Sequence, residues 1–189
     1  EGVKVILIGN AAVGKTSIVN HFLGLPFDSE VLSTNMASYQ RKMVKSSNGK
    51  DVRLDIWDTA GQEKYRSMLP IYFRAASIAL LCFDSESIDS INEWYSIVNR
   101  AAPQCHIILI LTKKDLYSTE EFAQINPLIH AKANELKISN VFVTSAKNGT
   151  GINELFEKAA TLATQVETPI TTTSVLSDEK TQNKSQSCC

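Results

Sequence analysis

The chain has 189 residues, of which 43% are hydrophobic, with a formal net charge of −1 and four cysteines. This length suits one domain with a substantial core, and the near-neutral charge argues against nucleic acid or an anionic membrane recognised by charge. The cysteine spacing does not suit a secreted disulfide framework and favours a reducing cytosol. We find no signal-peptide pattern and no apolar stretch long enough to span a bilayer, so any membrane attachment is expected through a lipid or a partner.

The first predicted strand, Val3–Ile8, runs into the turn GNAAVGKT and then into an apolar helix. A strand, this spacing of glycines and lysine, and a following helix predict a phosphate-binding loop, although a chance glycine turn is an alternative. Backbone amides would surround the β-phosphate, Lys15 would supply charge to the β- and γ-phosphates, and the Thr16 hydroxyl would ligate Mg²⁺. The predicted phosphate-contacting residues are Asn10, Ala11, Ala12, Val13, Gly14, Lys15, Thr16 and Ser17.

Helical and strand patterns alternate along the rest of the chain. Apolar spacing predicts helices over residues 17–23, 87–101, 126–136 and 152–164. The third of these helices is predicted to begin at Asn126 and Pro127. Residues 25–36 are predicted to form a loop. Strands are predicted over residues 39–45, 52–57, 77–83, 106–111 and 141–144, with the first two forming an antiparallel hairpin at Asn48-Gly49. The pattern predicts an α/β fold: a six-stranded, mostly parallel sheet with one antiparallel edge strand and helices on both faces. We interpret Glu120 and Glu121 as part of a solvated face.

A second polar group follows the strand 52–57, in the sequence Asp58-Thr59-Ala60-Gly61-Gln62. A carboxylate beside a phosphate-binding loop can hold Mg²⁺, which makes Asp58 the candidate. Gly61 can bring its N–H close to a γ-phosphate, and Gln62 can orient an attacking water. The alternative is an ordinary turn at the end of a strand.

Residues 57–63 resemble the second switch of the Ras-superfamily small GTPases, which are P-loop NTPases, and other motifs of that family follow in order. The resemblance implies that Thr34 binds Mg²⁺ and senses the γ-phosphate, and that Phe27 packs against guanine; a loop aromatic covering the core is the alternative for Phe27. The stretch containing Thr112, Lys113 and Asp115 resembles the guanine-specificity motif. In it, Asp115 would accept hydrogen bonds from the base, and Thr112 replaces the usual Asn, with the expected loss of a hydrogen bond near the base.

Ser145, Ala146 and Lys147 resemble the last motif, in which the Ala146 N–H would meet the guanine oxygen and Lys147 would cover the base. By resemblance the bound ligands are GTP or GDP with Mg²⁺, the metal ligands are Thr16, Thr34 and Asp58, and the catalytic residues are Gln62 and Lys15. Each short motif is weak alone, but five in the family's order are specific.

Residues 64–76 are similar to the second switch of the Rab branch, and Pro70 is typical of its endosomal members. By resemblance, Tyr39, Trp57 and Tyr72 would form an effector patch, with sheet packing as the alternative for Trp57. Cys188 and Cys189 would be prenylated. We expect a GTPase domain over residues 1–165 and a flexible tail over 166–189 without a basic cluster, so two prenyl chains would supply the membrane affinity.

The resemblance implies a slow GTP-hydrolysing switch in vesicle traffic that cycles between the cytosol and the cytosolic face of an intracellular membrane, with the endosomal membrane as the candidate. Its implied partners are an exchange factor, a GTPase-activating protein, a GDP dissociation inhibitor, a prenyltransferase with its escort protein, and effectors. Two alternatives remain open: a nucleotide-dependent binding module with little hydrolysis, and a small phosphotransferase. The sequence lacks the lid arginines that would support the phosphotransferase. The segment after Thr34, Asn35-Met36-Ala37-Ser38, departs from the Rab pattern.

Overall fold

The computed structural model describes residues 2–29, 34, 37–59 and 69–166. Six strands form one sheet: β1 Val3–Ile8, β2 Ser38–Lys45, β3 Asp51–Asp58, β4 Ile78–Phe83, β5 His106–Leu111 and β6 Asn140–Val143. The helices are α1 Lys15–Phe22, α2 Leu69–Phe73, α3 Ile91–Ala101, α4 Thr119–Glu135 and α5 Ile152–Val166. The predicted α/β fold is confirmed, and α2 is an element that the sequence analysis did not predict.

The strands lie in the order β2-β3-β1-β4-β5-β6. Only β2 runs antiparallel to its neighbour, pairing with β3 through the predicted hairpin, whereas the other pairs are parallel. Strand β1 is central, and the chain adds strands first on one side of it and then on the other. The crevice at the carboxyl end of β1 is therefore the place where an open α/β sheet of this kind binds ligands.

Helices bury both faces of the sheet. On one face, Val5 and Leu7 of β1 share a core cluster with residues of α1 and α5, in which the rings of Phe22 and Phe156 stack at 3.7 Å between centroids. On the other face, Ile6 and Ile8 share a second cluster with residues of α3 and α4. Alternate residues of β1 thus point to different layers, which explains the continuous apolar run in its sequence.

The predicted start of α4 was wrong. The helix begins at Thr119, and Asn126 and Pro127 lie inside it. Ser118 caps the helix: its Oγ accepts from the Glu121 N–H at 3.1 Å, and the Glu121 carboxylate accepts from the Ser118 N–H at 2.8 Å. This reciprocal pair satisfies amides that the first turn leaves open. Glu121 is exposed, as expected, and is also part of the cap.

The other boundaries differ from the predictions by small amounts. Residues 88–90 form a 3-10 turn before α3, where the sequence pattern predicted one helix from residue 87. The β2–β3 turn is tied to α5 by hydrogen bonds from the Ser47 N–H to Thr161 Oγ1 at 3.0 Å and from Asn48 Nδ2 to Thr164 Oγ1 at 3.2 Å. Among the helices of the described residues, none is long and apolar enough to cross a bilayer.

Candidate functional site

A cavity of about 440 Å³ opens at the carboxyl ends of the parallel strands. It is lined by residues from the phosphate-binding loop, from the loop after α1 and from the segments that follow β5 and β6. The predicted site residues that line it are Ala11, Ala12, Gly14, Lys15, Thr16, Ser17, Phe27, Thr34, Thr112, Lys113, Asp115, Ala146 and Lys147. Segments far apart in the sequence therefore meet at one site.

The turn after β1 has the backbone that its glycines predict. Gly9 has a φ of +135°, and a Cβ there would lie 2.0 Å from the backbone oxygen of Cys82. Gly14, at +94°, precedes the first residue of α1. Only glycine combines this close approach with such backbone angles at low cost, so the turn can lie against β4.

Lys15 is the buried cation of the cavity, with only 5% of its surface exposed. Its Nζ donates to the carbonyl oxygens of Gly9 at 3.0 Å and Asn10 at 2.6 Å. Burial lowers the pKa of Lys15, because the ammonium has lost water, while the nearby Cys82 and Asp58 act in the opposite direction. An anionic ligand would offset this loss of solvation.

The three predicted metal ligands converge. Thr16 Oγ1 lies 2.7 Å from Asp58 Oδ2 and 2.6 Å from Thr34 Oγ1. Because the single hydroxyl hydrogen of Thr16 goes to Asp58, Thr34 is the donor in the second hydrogen bond. Asp58 is 1% exposed, and its Oδ1 has no hydrogen-bond partner among the described residues. Burial raises the pKa of Asp58, against the opposing effects of Thr16 and Lys15.

Two hydroxyls and a buried carboxylate with an unpartnered oxygen fit a hard divalent cation such as Mg²⁺, whose preferred ligands are oxygens. An unpaired buried carboxylate oxygen is costly, and a cation at this point would remove that cost. The donor set therefore fits the ion expected from the sequence.

At the opposite end of the cavity, two charged side chains, Asp115 and Lys113, already have partners. Asp115 Oδ1 accepts from Ser145 Oγ at 2.5 Å, which fixes the carboxylate beside the cavity. Lys113 has a left-handed backbone, with φ of +55°, and its Nζ lies 2.8 Å from Asp84 Oδ2. Burial raises the pKa of Asp84, but hydrogen bonds from Lys113 and Ser87 outweigh that effect and leave the pKa below its usual value.

Phe27 forms part of an apolar rim around this end. Its side chain is 45% exposed, and it belongs to neither core cluster of the described residues, which argues against the alternative that it covers the core. Leu116, 67% exposed, also lines the cavity. Exposed apolar groups of this kind can pack against the faces of a flat ring.

Two contacts to the phosphate-binding loop were not found by sequence reasoning. The buried Thr112 hydroxyl lies 2.6 Å from the Val13 carbonyl and 3.0 Å from that of Phe83, and it donates its one hydrogen between them. The indole Nε1 of Trp94, on α3, donates to Asn10 Oδ1 at 2.8 Å. These pairs are separated by 99 and 84 residues, and no local pattern relates them.

Other predicted residues lie near the site or outside the described chain. Tyr39, Trp57 and Tyr72 form a surface cluster, with ring centroids 5.2 Å apart for Tyr39 and Trp57 and 6.1 Å apart for Trp57 and Tyr72. Trp57 also packs against the core, so the alternative of sheet packing holds for part of its surface. Gly61, Gln62, Cys188 and Cys189 lie outside the described residues, and their predicted roles stay predictions.

The site consists of a strand, a glycine turn with a buried lysine and a following helix, and it lies beside a cluster of hydroxyl and carboxylate groups. This arrangement defines a P-loop nucleotide-binding protein. The Ras family model matches residues 4–165 of the chain. The chain belongs to the Ras family of small GTPases, in its Rab branch. Members of this family bind GTP and GDP and are generally GTP hydrolases.

Relatives in distant organisms share this assignment. The chain is 35% identical over 162 residues to the Ras-related protein Rab-5B of Plasmodium falciparum, covering 84% of this chain and 76% of the relative. It is 34% identical over 160 residues to the GTP-binding protein ypt5 of Schizosaccharomyces pombe, with coverage of 83% and 75%. It is 35% identical over 158 residues to human Ras-related protein Rab-22A, with coverage of 81% and 79%. These relatives are consistent with a Rab protein of the endosomal type.

Proposed function

We propose that the chain binds GTP and GDP in this cavity with Mg²⁺ and hydrolyses GTP slowly, as a switch in vesicle traffic. The observation that carries this proposal is the convergence of Thr16, Thr34 and Asp58 beside the buried Lys15. A buried cation and a set of oxygen ligands next to a glycine turn suit a triphosphate and its metal ion better than any other common ligand.

Each end of the cavity would have a separate task in binding. At the phosphate end, the loop amides and Lys15 would hold the β- and γ-phosphates, and the Asn10 to Ser17 segment would supply the amides. At the other end, Asp115 would accept from the two adjacent donors of guanine, a pattern that adenine lacks. The Ala146 amide would donate to the guanine oxygen, while Phe27 and the stems of Lys113 and Lys147 would lie along the ring.

For hydrolysis, the chain must stabilise charge and orient water. Lys15 would neutralise negative charge that develops on the phosphate oxygens, and Gln62 would orient the attacking water. Thr16, Thr34 and Asp58 would hold Mg²⁺ directly or through water, and the ion would neutralise further charge on the phosphates. Contacts of Thr34 and Gly61 with the γ-phosphate would order the two switches, and its loss would release them.

Further roles extend the proposal to membranes and partners. The tail that follows α5, whose last residue is Val166, would be flexible, and Cys188 and Cys189 would be prenylated, which gives two lipid chains for stable attachment. Tyr39, Trp57 and Tyr72 would contact effectors, and the switch would depend on an exchange factor, an activating protein, a GDP dissociation inhibitor and a prenyltransferase with its escort. The expected location is the cytosolic face of an endosomal membrane, in exchange with the cytosol.

The test is single-turnover hydrolysis of bound GTP, together with chromatography of the nucleotide that copurifies. We expect guanine nucleotide in the purified protein, and we expect Gln62→Leu to slow hydrolysis about tenfold or more, because the water loses its orienting group. Gln124→Leu is the matched control, since Gln124 is exposed on α4. If the wild type and Gln62→Leu both bind guanine nucleotide but neither hydrolyses GTP, the chain is a nucleotide-dependent binding module rather than an enzyme.

A further inference from the structure

We propose that Trp94 is a positioning residue for the phosphate-binding lysine and that it acts through the side chain of Asn10. This inference rests on the proposed function, because it concerns the same phosphate site. It assigns a nucleotide-binding consequence to a residue of the hydrophobic core on α3, which has no atom lining the cavity.

Trp94 is 1% exposed and ranks among the largest fully buried side chains of the described residues. A buried indole N–H needs a hydrogen-bond acceptor, because leaving it without one is costly. Here the acceptor is the Asn10 side chain, at 2.8 Å, in the turn that follows β1. The hydrophobic core is therefore connected to the phosphate-binding loop by a directional bond as well as by packing.

Asn10 is held at a second atom. Its backbone carbonyl accepts from Lys15 Nζ at 2.6 Å, the shorter of the two hydrogen bonds that Lys15 makes to the loop. The indole restrains the Asn10 side chain, and the peptide group of Asn10 in turn restrains the ammonium. Because Lys15 is buried and lines the cavity, a loss of this restraint would let the ammonium move away from the phosphate position.

A merely structural role for the Trp94–Asn10 bond predicts a different result. If the bond only satisfied a buried N–H, its removal would lower the stability of the whole chain but would leave the behaviour of bound nucleotide unchanged. The positioning role predicts faster nucleotide release and slower hydrolysis of GTP that is already bound, since Lys15 acts on both. These readouts separate the two roles.

The experiment compares the wild type with Trp94→Phe, Asn10→Ala and the double variant, each loaded with fluorescently labelled GDP or with GTP. Phenylalanine keeps a ring in the core but removes the N–H, and Asn10→Ala alters a loop residue, so at least one single variant should fold. Ile129→Val is the control, because Ile129 is a fully buried member of the same core cluster on α4. Thermal unfolding of every variant accompanies the rate measurements.

We expect each single variant to release GDP about 3- to 10-fold faster than the wild type, the range that corresponds to one hydrogen bond. The double variant should be no faster than the faster single variant, because both changes break the same link. Single-turnover hydrolysis of bound GTP should slow in the same variants and remain unchanged in Ile129→Val.

Release rates equal to those of the wild type would overturn the inference, and so would a double variant whose effect is the product of the two single effects. A change in thermal stability with unchanged release and hydrolysis would also overturn it in favour of a structural role. In all these cases the wild type still binds guanine nucleotide and the proposed function stands. A wild-type chain that binds no guanine nucleotide would instead defeat the proposed function, and this inference with it.

Discussion

The two ends of the cavity differ in how far their charged groups are satisfied before a ligand arrives. At the phosphate end, Lys15 and Asp58 are almost fully buried. Burial lowers the pKa of Lys15 and raises that of Asp58, so in each case it favours the neutral form. At the base end, Asp115 has a hydrogen bond from Ser145 and Lys113 is paired with Asp84. The phosphate end therefore carries an electrostatic cost that a ligand can relieve, whereas the base end is arranged in advance.

The difference indicates how binding and recognition are divided. Relief of buried charge is worth more than a hydrogen bond at a solvated rim, so the phosphates and metal ion should supply most of the affinity. A prearranged carboxylate costs little to order, so the base end should supply selectivity. Substitutions at the two ends should then have effects of different size and kind.

The largest effect is expected from Lys15→Met, which removes the buried cation but keeps much of its apolar stem. We expect GDP affinity to fall by about 100-fold or more, because a charge-assisted contact to phosphate is lost in a desolvated site. Equilibrium titration with labelled GDP gives the measurement, and Lys50→Met, at an exposed hairpin position, is the control. A loss of less than tenfold would show that the loop amides dominate binding.

A second substitution, Asp58→Asn, should raise the Mg²⁺ concentration needed to retain nucleotide by about 10- to 100-fold, through the loss of a carboxylate ligand or of a water held by it. Nucleotide release measured across a Mg²⁺ titration reports this shift. Asp115→Asn provides the contrast at the base end. It should weaken guanine binding without changing the Mg²⁺ midpoint, which is the Mg²⁺ concentration at which half of the effect on nucleotide release is reached. Equal midpoints for wild type and Asp58→Asn would remove Asp58 from the metal site.

In the chain free of nucleotide and metal ion, Asp58→Asn should be favourable, because it should raise the stability of the fold at neutral pH. Because burial raises the pKa of Asp58 in the folded chain, the neutral carboxyl group favours folding and the ionised group opposes it. The stability that the neutral group contributes is fully present below the usual carboxyl pKa and is lost as pH rises through the raised pKa. Asp58→Asn should therefore unfold at a higher temperature than the wild type at neutral pH, by a difference that shrinks as pH falls. Unfolding curves across acidic and neutral pH test this. A variant less stable at every pH would contradict it.

At the base end, Ser145→Ala removes the hydroxyl that donates to Asp115. We expect about 3- to 10-fold weaker GDP binding, the equivalent of one hydrogen bond, with an unchanged Mg²⁺ midpoint. Competition between GDP and labelled GDP gives the affinity. A shift of the Mg²⁺ midpoint in this variant would mean that the two ends are coupled more strongly than their contacts indicate.

The smallest effect on binding is expected from Thr112→Val, which keeps the shape of the side chain but removes the hydroxyl that contacts the Val13 and Phe83 carbonyls. The free energy of unfolding should fall by about 1 kcal/mol, since a buried hydrogen bond is lost. GDP affinity should fall only about two- to threefold, because the Thr112 hydroxyl contacts carbonyl groups of the protein and would act on the ligand only through the loop. Denaturant unfolding and titration measure the two quantities. Unchanged stability would contradict the observed hydrogen bonds.

The sequence predicted the strands better than the ends of the helices. Strand β5, His106–Leu111, was predicted to the residue, because continuous apolar runs bounded by polar residues are typical of buried parallel strands. The start of α4 was misplaced by seven residues, from Thr119 to Asn126. Ser118 and Glu121 carry the capping-box signal in the sequence, whereas the predicted start rested on Asn126 and Pro127, which lie inside the helix.

The candidate site was predictable where its residues belong to short motifs and was not predictable where they meet across the fold. The turn around Lys15 could be located from the pattern of strand, glycines and lysine, and the segment containing Asp115 could be located from its resemblance to the family's guanine-specificity motif. The hydrogen bond from Trp94 to Asn10 depends on how α3 packs against the sheet, and the contact of Thr112 with Val13 depends on the register of β4 and β5. Such contacts follow from tertiary packing, which has no local period.

The dependence of the sheet on α5 has a consequence for synthesis. One face of β1 is buried together with α5, a helix that lies more than 100 residues further along the chain, through Ile152, Leu155, Phe156, Ala159, Ala160, Leu162 and Ala163. The β2–β3 turn also reaches α5, across 114 residues between Ser47 and Thr161. A chain that leaves the ribosome from its N-terminus therefore keeps that apolar face open until α5 has emerged, and exposed apolar surface of this kind is prone to association with other chains.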